Sequence, residues 1–281
     1  MIMVKRSTIL VSIIVTTRNE QLVLGDLLQS IKKQIYKNWE LIVVDNNSND
    51  QTKQIASKYT KKVINLGPER SAQRNYGANL AKGEYLLFLD ADMRLSSQVV
   101  EECVRECNEN KSLSAVVIPE ESIAKDFWGK VKAFERSFYN INGDPITDAA
   151  RFFKKPIFFK VGQYDESITG PEDWDLPDRV RESGYKIGRI LAKIYHQEGN
   201  LSLNILFRKK FYYGLRADRY LKKHQISVIS PKTIYFLRPL FYKNWYRLLA
   251  HPILAIGMIV MLMTELAGGG LGYLTGRIRR L

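Results

Sequence analysis

Tyr85-Leu86-Leu87-Phe88-Leu89-Asp90-Ala91-Asp92 is the stretch that decides the fold. Five consecutive apolar residues make one strand, and with no polar residue alternating among them both faces of that strand must be covered. The run stops on two carboxylates one residue apart. The same grammar appears upstream: the apolar residues 10–15 close on Thr16-Thr17-Arg18-Asn19-Glu20, and residues 39–44 close on Asp45. Helical stripes lie between the runs, first Leu24, Leu27, Leu28, Ile31 and Ile35, later Val99, Val100, Cys103, Val104 and Cys107. Further helices are expected around 50–58 and 71–81, and further strands at 63–66 and 115–118. Strand–helix alternation of this kind predicts an α/β fold, a Rossmann-like, mostly parallel sheet with helices on both faces. Ligands of such sheets bind beyond the carboxyl ends of the strands, so residues 16–20, Asp45 and Asp90 to Asp92 are expected on one edge.

The 281 residues allow one large domain or two small ones, and 45% hydrophobic with 26% charged residues excludes a collagen-like or wholly disordered chain. Charge is unevenly placed. Residues 1–184 hold 26 basic and 26 acidic side chains, residues 185–251 hold 14 and 2, and residues 252–281 hold 3 and 1. The net +14 therefore belongs to the C-terminal third, the only region suited to a polyanion. Cys103 and Cys107 are too few for a disulfide framework or a four-ligand zinc site, and read as reduced core residues of a cytosolic chain. Lys5 and Arg6 precede an apolar run that Thr16-Thr17-Arg18 interrupts with no small-residue cleavage site, which reads as a strand and not a signal peptide.

Residues 120–198 are less regular. An amphipathic helix is expected over 126–139, with Phe127, Val131, Phe134 and Phe138 on one face, and residues 140–148 have the composition of a mobile loop. Gly170-Pro171-Glu172-Asp173-Trp174-Asp175 opens a helix through about 183, and a strand over 187–195 leads to His196. The expected organisation is a catalytic domain over 1–199 (nucleotide-binding part about 1–119, acceptor part about 120–199), basic aromatic helices over 200–247 and a hydrophobic segment over 248–281.

Several of these residues have two readings. Asp90 and Asp92 are hard oxygen ligands suited to Mg²⁺ or Mn²⁺ shared with a diphosphate, or else a solvated turn. Asp45 either accepts a hydrogen bond from a base or ribose or caps the next helix. Arg70, Arg74 and Asn75 near a helix start either hold phosphate or cover a surface face. Glu172-Asp173 is either a dipole partner in a first helical turn or a general base beside the aromatic Trp174. His196 is a structural histidine or a metal ligand.

Taken in order, these elements resemble the family-2 glycosyltransferases of the GT-A fold over roughly residues 7–200. Thr16-Thr17-Arg18-Asn19-Glu20 stands where that family has a Pro-Thr-Tyr-Asn-Glu-like strand end, with Thr16 for proline and Arg18 for tyrosine. Asp45 matches the Asp closing the second strand, Arg74-Asn75-Tyr76-Gly77 an Arg-Asn-x-Gly element, Asp90-Ala91-Asp92 the Asp-x-Asp motif and Glu172-Asp173 the Glu-Asp before the acceptor helix. The resemblance implies that Thr16, Thr17, Arg18, Asn19, Glu20, Asp45, Arg70, Arg74 and Asp90 bind a UDP- or GDP-sugar. It implies that Asp92 and Asp90, with His196 less directly, hold Mn²⁺ or Mg²⁺, and that Asp173 is the base of an inverting transfer. Arg151, Glu172 and Trp174 are then expected at the acceptor. The Gln-x-x-Arg-Trp element of processive synthases is missing after residue 196, which favours addition of one sugar. A nucleotidyltransferase would carry a Gly-rich basic loop near its start, and residues 11–20 have none.

Residues 200–247 interleave cations with aromatics, as in Phe207-Arg208-Lys209-Lys210-Phe211-Tyr212-Tyr213, a composition that fits an anionic membrane surface or nucleic acid. The next segment favours the membrane: over residues 248–276 the only acidic or basic side chains are His251 and Glu265. Glu265, Gly268-Gly269-Gly270 and the closing Arg277, Arg279 and Arg280 are expected to break it into a re-entrant or in-plane helical pair, monotopic on the cytoplasmic face. A membrane-attached enzyme then suggests a polyprenyl-linked or glycolipid acceptor, with no nucleic acid as partner.

Overall fold

In the computed structural model, the described residues are 9–140, 143, 144, 146 and 148–278. Lys5, Arg6, Arg279, Arg280 and positions 141, 142, 145 and 147 of the expected loop lie outside them. In chain order the elements are β1 (Val11–Thr17), α1 (Leu24–Lys32), β2 (Trp39–Asp45), α2 (Thr52–Ser57), β3 (Val63–Asn65), α3 (Arg70–Leu80), β4 (Tyr85–Asp90), β5 (Met93–Leu95), α4 (Val99–Glu109) and β6 (Leu113–Val117). Then follow β7 (Glu120–Ile123), α5 (Phe127–Arg136), β8 (Ala150–Lys154), α6 (Lys155–Lys160), α7 (Glu172–Glu182), β9 (Lys186–Arg189) and β10 (Ile194–Gln197). The chain closes with α8 (Leu203–Gly214), α9 (Ala217–Lys223), α10 (Pro239–Lys243), α11 (Trp245–Ala250) and α12 (Pro252–Ile278).

The residues fall into two compact units. The first comprises Met1–Ile118, Ala150–Tyr164 and Leu176–Ile194; the second comprises Pro119–Ala149, Asp165–Asp175 and Tyr195–Leu281.

The first unit is built on a seven-stranded sheet in the order β3-β2-β1-β4-β8-β6-β9. Its strands β1, β2 and β4 bury apolar side chains on both faces because helices cover both, and each fully buried Val, Ile, Leu or Phe contributes roughly 1.5–3 kcal/mol. The thiols of Cys103 and Cys107 sit in that core, pushed up by burial, Cys107 to about 11. The parallel reading holds for β1, β2, β3 and β4 and for β6 with β9, but β8 is antiparallel to both its neighbours, β4 and β6. Its Arg151-Phe152-Phe153 was not expected to be a strand; the reversal brings its first residues to the carboxyl edge of β4.

The second unit gathers β7, α5, β10 and the C-terminal helices. Asp126 caps α5 by accepting from the Gly129 N–H at 2.8 Å. The expected strand over 187–195 is two strands, β9 and β10, and His196 lies inside β10, where it was expected to follow a strand. The expected break near Glu265 to Gly270 is also corrected: α12 runs unbroken from Pro252 to Ile278. Gly268, Gly272 and Gly276, four residues apart, form a bare stripe against α8; a Cβ on any of them would overlap the carbonyl of Phe207, Phe211 or Leu215. The glycines are there for close approach of two helices. Nor does Glu265 face outward, for it is 5% exposed and paired with Lys132 at 3.1 Å and Lys210 at 3.4 Å.

Candidate active site

Parallel register brings the polar strand ends together as expected, with Thr16 beside Asp90 and Thr17 beside Asp45. Asp90 is the hub of this edge. Its Oδ1 accepts from Arg74 at 2.8 Å and from the Thr16 hydroxyl at 3.3 Å; its Oδ2 accepts from Arg151 at 3.4 Å, and Arg70 stands 3.9 Å away. Burial alone would raise the Asp90 carboxyl, but the guanidinium charges of Arg74, Arg70 and Arg151 override it and hold the group well below the usual range. Both oxygens are thus committed to cations of the protein.

The Arg74-Asn75-Tyr76-Gly77 motif has a local cause for each defining position. Arg74 is fully buried, reaches Asp90 and lies 4.9 Å over the Tyr164 ring. Asn75 exchanges two hydrogen bonds with the Tyr164 backbone, at 2.9 and 3.0 Å. Gly77 lets α3 settle on Ile14 of β1, where a Cβ would collide. Gln73, one residue ahead, donates to the carbonyls of Val44 and Thr17 at 2.7 and 3.4 Å. Of the arginines around Asp90, Arg70 is the one with a substantially exposed side chain, at 38%.

Asp45 is fully buried and takes the Ser48 N–H and hydroxyl at 2.7 and 2.5 Å, tying the turn after β2. It does not cap α2, whose N-cap is Gln51. That turn is laced to the one after β1: Asn19, at φ 55°, donates its N–H to Ser48 at 2.7 Å and accepts from the Asn49 N–H at 3.0 Å, while the Glu20 N–H donates to Thr52 at 2.8 Å. Arg18 and Asn19 are exposed, Thr16 and Thr17 buried. The Glu20 carboxyl is pushed up to about 7, first by burial and then by the charges of Asp92, Asp50 and Asp90. Carboxylates crowded to this degree suit a cation. Among the described residues no three His, Cys, Asp or Glu form a cage, so a divalent ion would rest on one or two carboxylates and complete its shell from water and phosphate. Asp92, half-buried just past the Asp90 cluster, could supply one of those oxygens.

In the second unit, Gly170-Pro171 turns the chain into α7. Gly170 has φ 104° and its N–H bonds the carboxylate of the buried Glu172. Asp173 and Trp174 are half-buried in the first turn, and the Trp174 and Asp175 N–H groups bond the Pro171 carbonyl at 3.0 and 2.9 Å. Asp175, to which no role was given from sequence, is fully buried against His224 at 2.8 Å and Lys223 at 2.9 Å. It fixes the turn that carries Asp173. Nothing in the spacing pointed from Asp175 to a histidine 49 residues away. His196 turns its Nδ1 to Arg136 at 3.2 Å and Glu198 at 3.4 Å, and Glu198 also takes Arg136 and Ser122 at 2.7 and 2.5 Å.

A model of the family described as "Glycosyl transferase family 2" matches residues 12–164, more than half of the chain and the whole of the Asp90 edge. The chain belongs to glycosyl transferase family 2. An uncharacterized glycosyltransferase of Methanocaldococcus jannaschii is 27% identical to this family-2 chain over 256 residues, covering 83% of it and 86% of the relative. A Campylobacter jejuni relative named GalNAc(5)-diNAcBac-PP-undecaprenol beta-1,3-glucosyltransferase is 31% identical over 132 residues, 42% of each protein. Among solved structures, the mannosyltransferase PcManGT from Pyrobaculum calidifontis, in complex with GDP-Man and Mn²⁺, superimposes with a TM-score of 0.57 at 17% identity. That match covers 95% of this chain and 75% of the other, and gives the family-2 chain a GT-A-type fold.

Proposed function

We propose that this family-2 chain is a metal-dependent, inverting glycosyltransferase that moves one sugar from a UDP- or GDP-sugar to a polyprenyl-linked or glycolipid acceptor at the cytoplasmic face of a membrane. The observation that carries the reading is the carboxyl edge of β4, where Asp92 follows an Asp90 already neutralised by arginines. The Pyrobaculum protein's GDP-Man and Mn²⁺ support the donor and the ion, and the undecaprenol in the Campylobacter relative's name supports the acceptor class.

In this reading the turns at Thr16, Thr17, Arg18, Asn19 and Glu20 and at Asp45 form the nucleoside side of the donor site. Arg70, with its exposed guanidinium, meets the diphosphate. Arg74 and Arg151 are positioning residues: buried on Asp90, they set the edge without presenting much surface of their own. Mn²⁺ or Mg²⁺ held by Asp92 supplies the positive charge that offsets a leaving diphosphate. His196, carried over from the family resemblance, is a candidate contact of that ion or diphosphate. Asp173 accepts the proton of the acceptor hydroxyl as its oxygen attacks the anomeric carbon opposite the leaving group, which inverts the configuration. Glu172 fixes the Gly170 turn and Trp174 offers an aromatic wall for the acceptor.

Among the described residues α12 alone is long and apolar enough to cross a membrane. Its inner face, Met258, Met261, Leu262 and Glu265, is buried within the second unit, while Ile253, Ile256, Ile259, Met263 and Leu274 stand 50–71% exposed. The cationic α8 runs along the glycine stripe of the same helix. A one-sided apolar face beside Arg208 and Lys209 suits a helix lying in the membrane plane.

Asp173→Asn in the full-length protein should lower sugar transfer by roughly 10²–10⁴-fold, the usual share of a positioned base. Donor binding measured calorimetrically should not change, and the wild-type product should show the anomeric configuration opposite to the donor's by NMR. Wild-type turnover by Asp173→Asn removes this residue from the role.

A further inference from the structure

The second unit holds a cavity of about 340 Å³ lined by α8, α9, α12 and the segment before α10, within the range of small-ligand sites. Its walls are aromatic, with Trp174, Tyr213, Tyr220, Tyr235, Phe236 and Tyr273. Two ammonium groups line it: Lys210, paired with Glu265 at 3.4 Å, and Lys232, which donates to the Tyr220 hydroxyl at 3.0 Å.

Two observations say what enters. Leu266, Val228 and Ile229 line the cavity and are also 42%, 49% and 72% exposed, so its mouth is apolar. Gly269 and Gly270 line it too, and a Cβ on either would meet nothing within 4 Å. Each costs the helix about 1 kcal/mol relative to alanine, and neither is needed for packing as Gly268 and Gly272 are. They keep the cavity wide. The remaining wall, Gly170, Pro171 and Trp174, flanks Glu172-Asp173.

We propose that this cavity seats the phosphate-proximal isoprenoid stretch of a polyprenyl-phosphate-linked acceptor, with Lys232 as the partner of its phosphate. The inference rests on the lipid-linked acceptor proposed above and adds where its chain lies. An aromatic cavity takes the chain, a cation takes the head, and the acceptor hydroxyl comes to the turn that carries Asp173.

The test uses full-length protein in detergent micelles and a farnesyl phosphate carrying a benzophenone at its far end. Irradiation should label peptides within 228–236 or 262–273, and unlabelled undecaprenyl phosphate should suppress the label while dioleoyl phosphatidic acid does not. Gly269→Leu fills the cavity from a position with open space; it should cut labelling and raise KM for a polyprenyl-linked acceptor at least tenfold with a melting temperature no lower than wild type. Should that variant unfold, Ile229→Ser, on an exposed position, should lower labelling several-fold. Undiminished labelling in both variants, or equal suppression by phosphatidic acid, overturns the proposal. Transfer to a polyprenyl-linked acceptor with unchanged KM in a folded Gly269→Leu overturns the cavity's role and leaves the acceptor class standing. Transfer by wild type to water-soluble acceptors alone overturns the acceptor class itself.

Discussion

Arg74 and Asp90 are adjacent in space and sixteen residues apart in sequence, and their pairing orders the whole carboxyl edge. Arg74→Met removes the shortest arginine contact on Asp90 while Arg151 and Arg70 remain, so it should cost about 1–3 kcal/mol in urea unfolding. A loss within error would mean that the edge does not depend on the pair. Glu20 gives a pH signature. Its carboxyl sits at about 7 when folded against an ordinary 4.5, so the folded state keeps a proton that the unfolded state has lost, and stability falls as pH rises from 4.5 through 7. Glu20→Gln should match wild type near pH 4.5 and exceed it at pH 8 by roughly 1–2 kcal/mol, the shift discounted for solvent screening. Equal stability of the two at both pH values would contradict the assigned crowding. At this scale the sequence named Asp45, Asp90, Asp92 and the Arg-Asn-x-Gly motif, because strand ends and motif spacing are local. It did not show that Asp90 is saturated by arginines, since that depends on how α3 and β8 meet β4.

The elements were legible where one hydrophobic period ran uninterrupted, as in β1, β2, β4 and α4. They were not where short runs have no alternation to read: β8 was missed, and with it the reason Arg151 comes to Asp90. The C-terminal helix was misjudged for a different reason. Three consecutive glycines read as a breaker when only intrinsic propensity is counted, yet packing against α8 needs Gly268, Gly272 and Gly276. Gly272→Leu should therefore lower stability in micelles by about 1–3 kcal/mol through overpacking, whereas Gly270→Ala should raise it by up to about 1 kcal/mol. Reversed signs in thermal unfolding would contradict the helix–helix contact.

For the whole molecule, charge and apolarity divide along the chain much as the sequence indicates: the sheet unit takes the balanced front, and the unit with α8 to α12 takes the basic and apolar back. The units interleave, since Ala150–Tyr164 and Leu176–Ile194 return to the sheet, a crossing that no composition shift marks. The central claim is that the carboxyl edge of β4 binds a nucleotide-sugar through Asp92 and a divalent ion. Calorimetric titration of a panel of UDP- and GDP-sugars into full-length protein, with Mn²⁺ and then with EDTA, tests it most directly. Wild type should bind one of them in an ion-dependent manner and Asp92→Ala should lose that dependence while staying folded; equal binding by both proteins, with or without the ion, would contradict it.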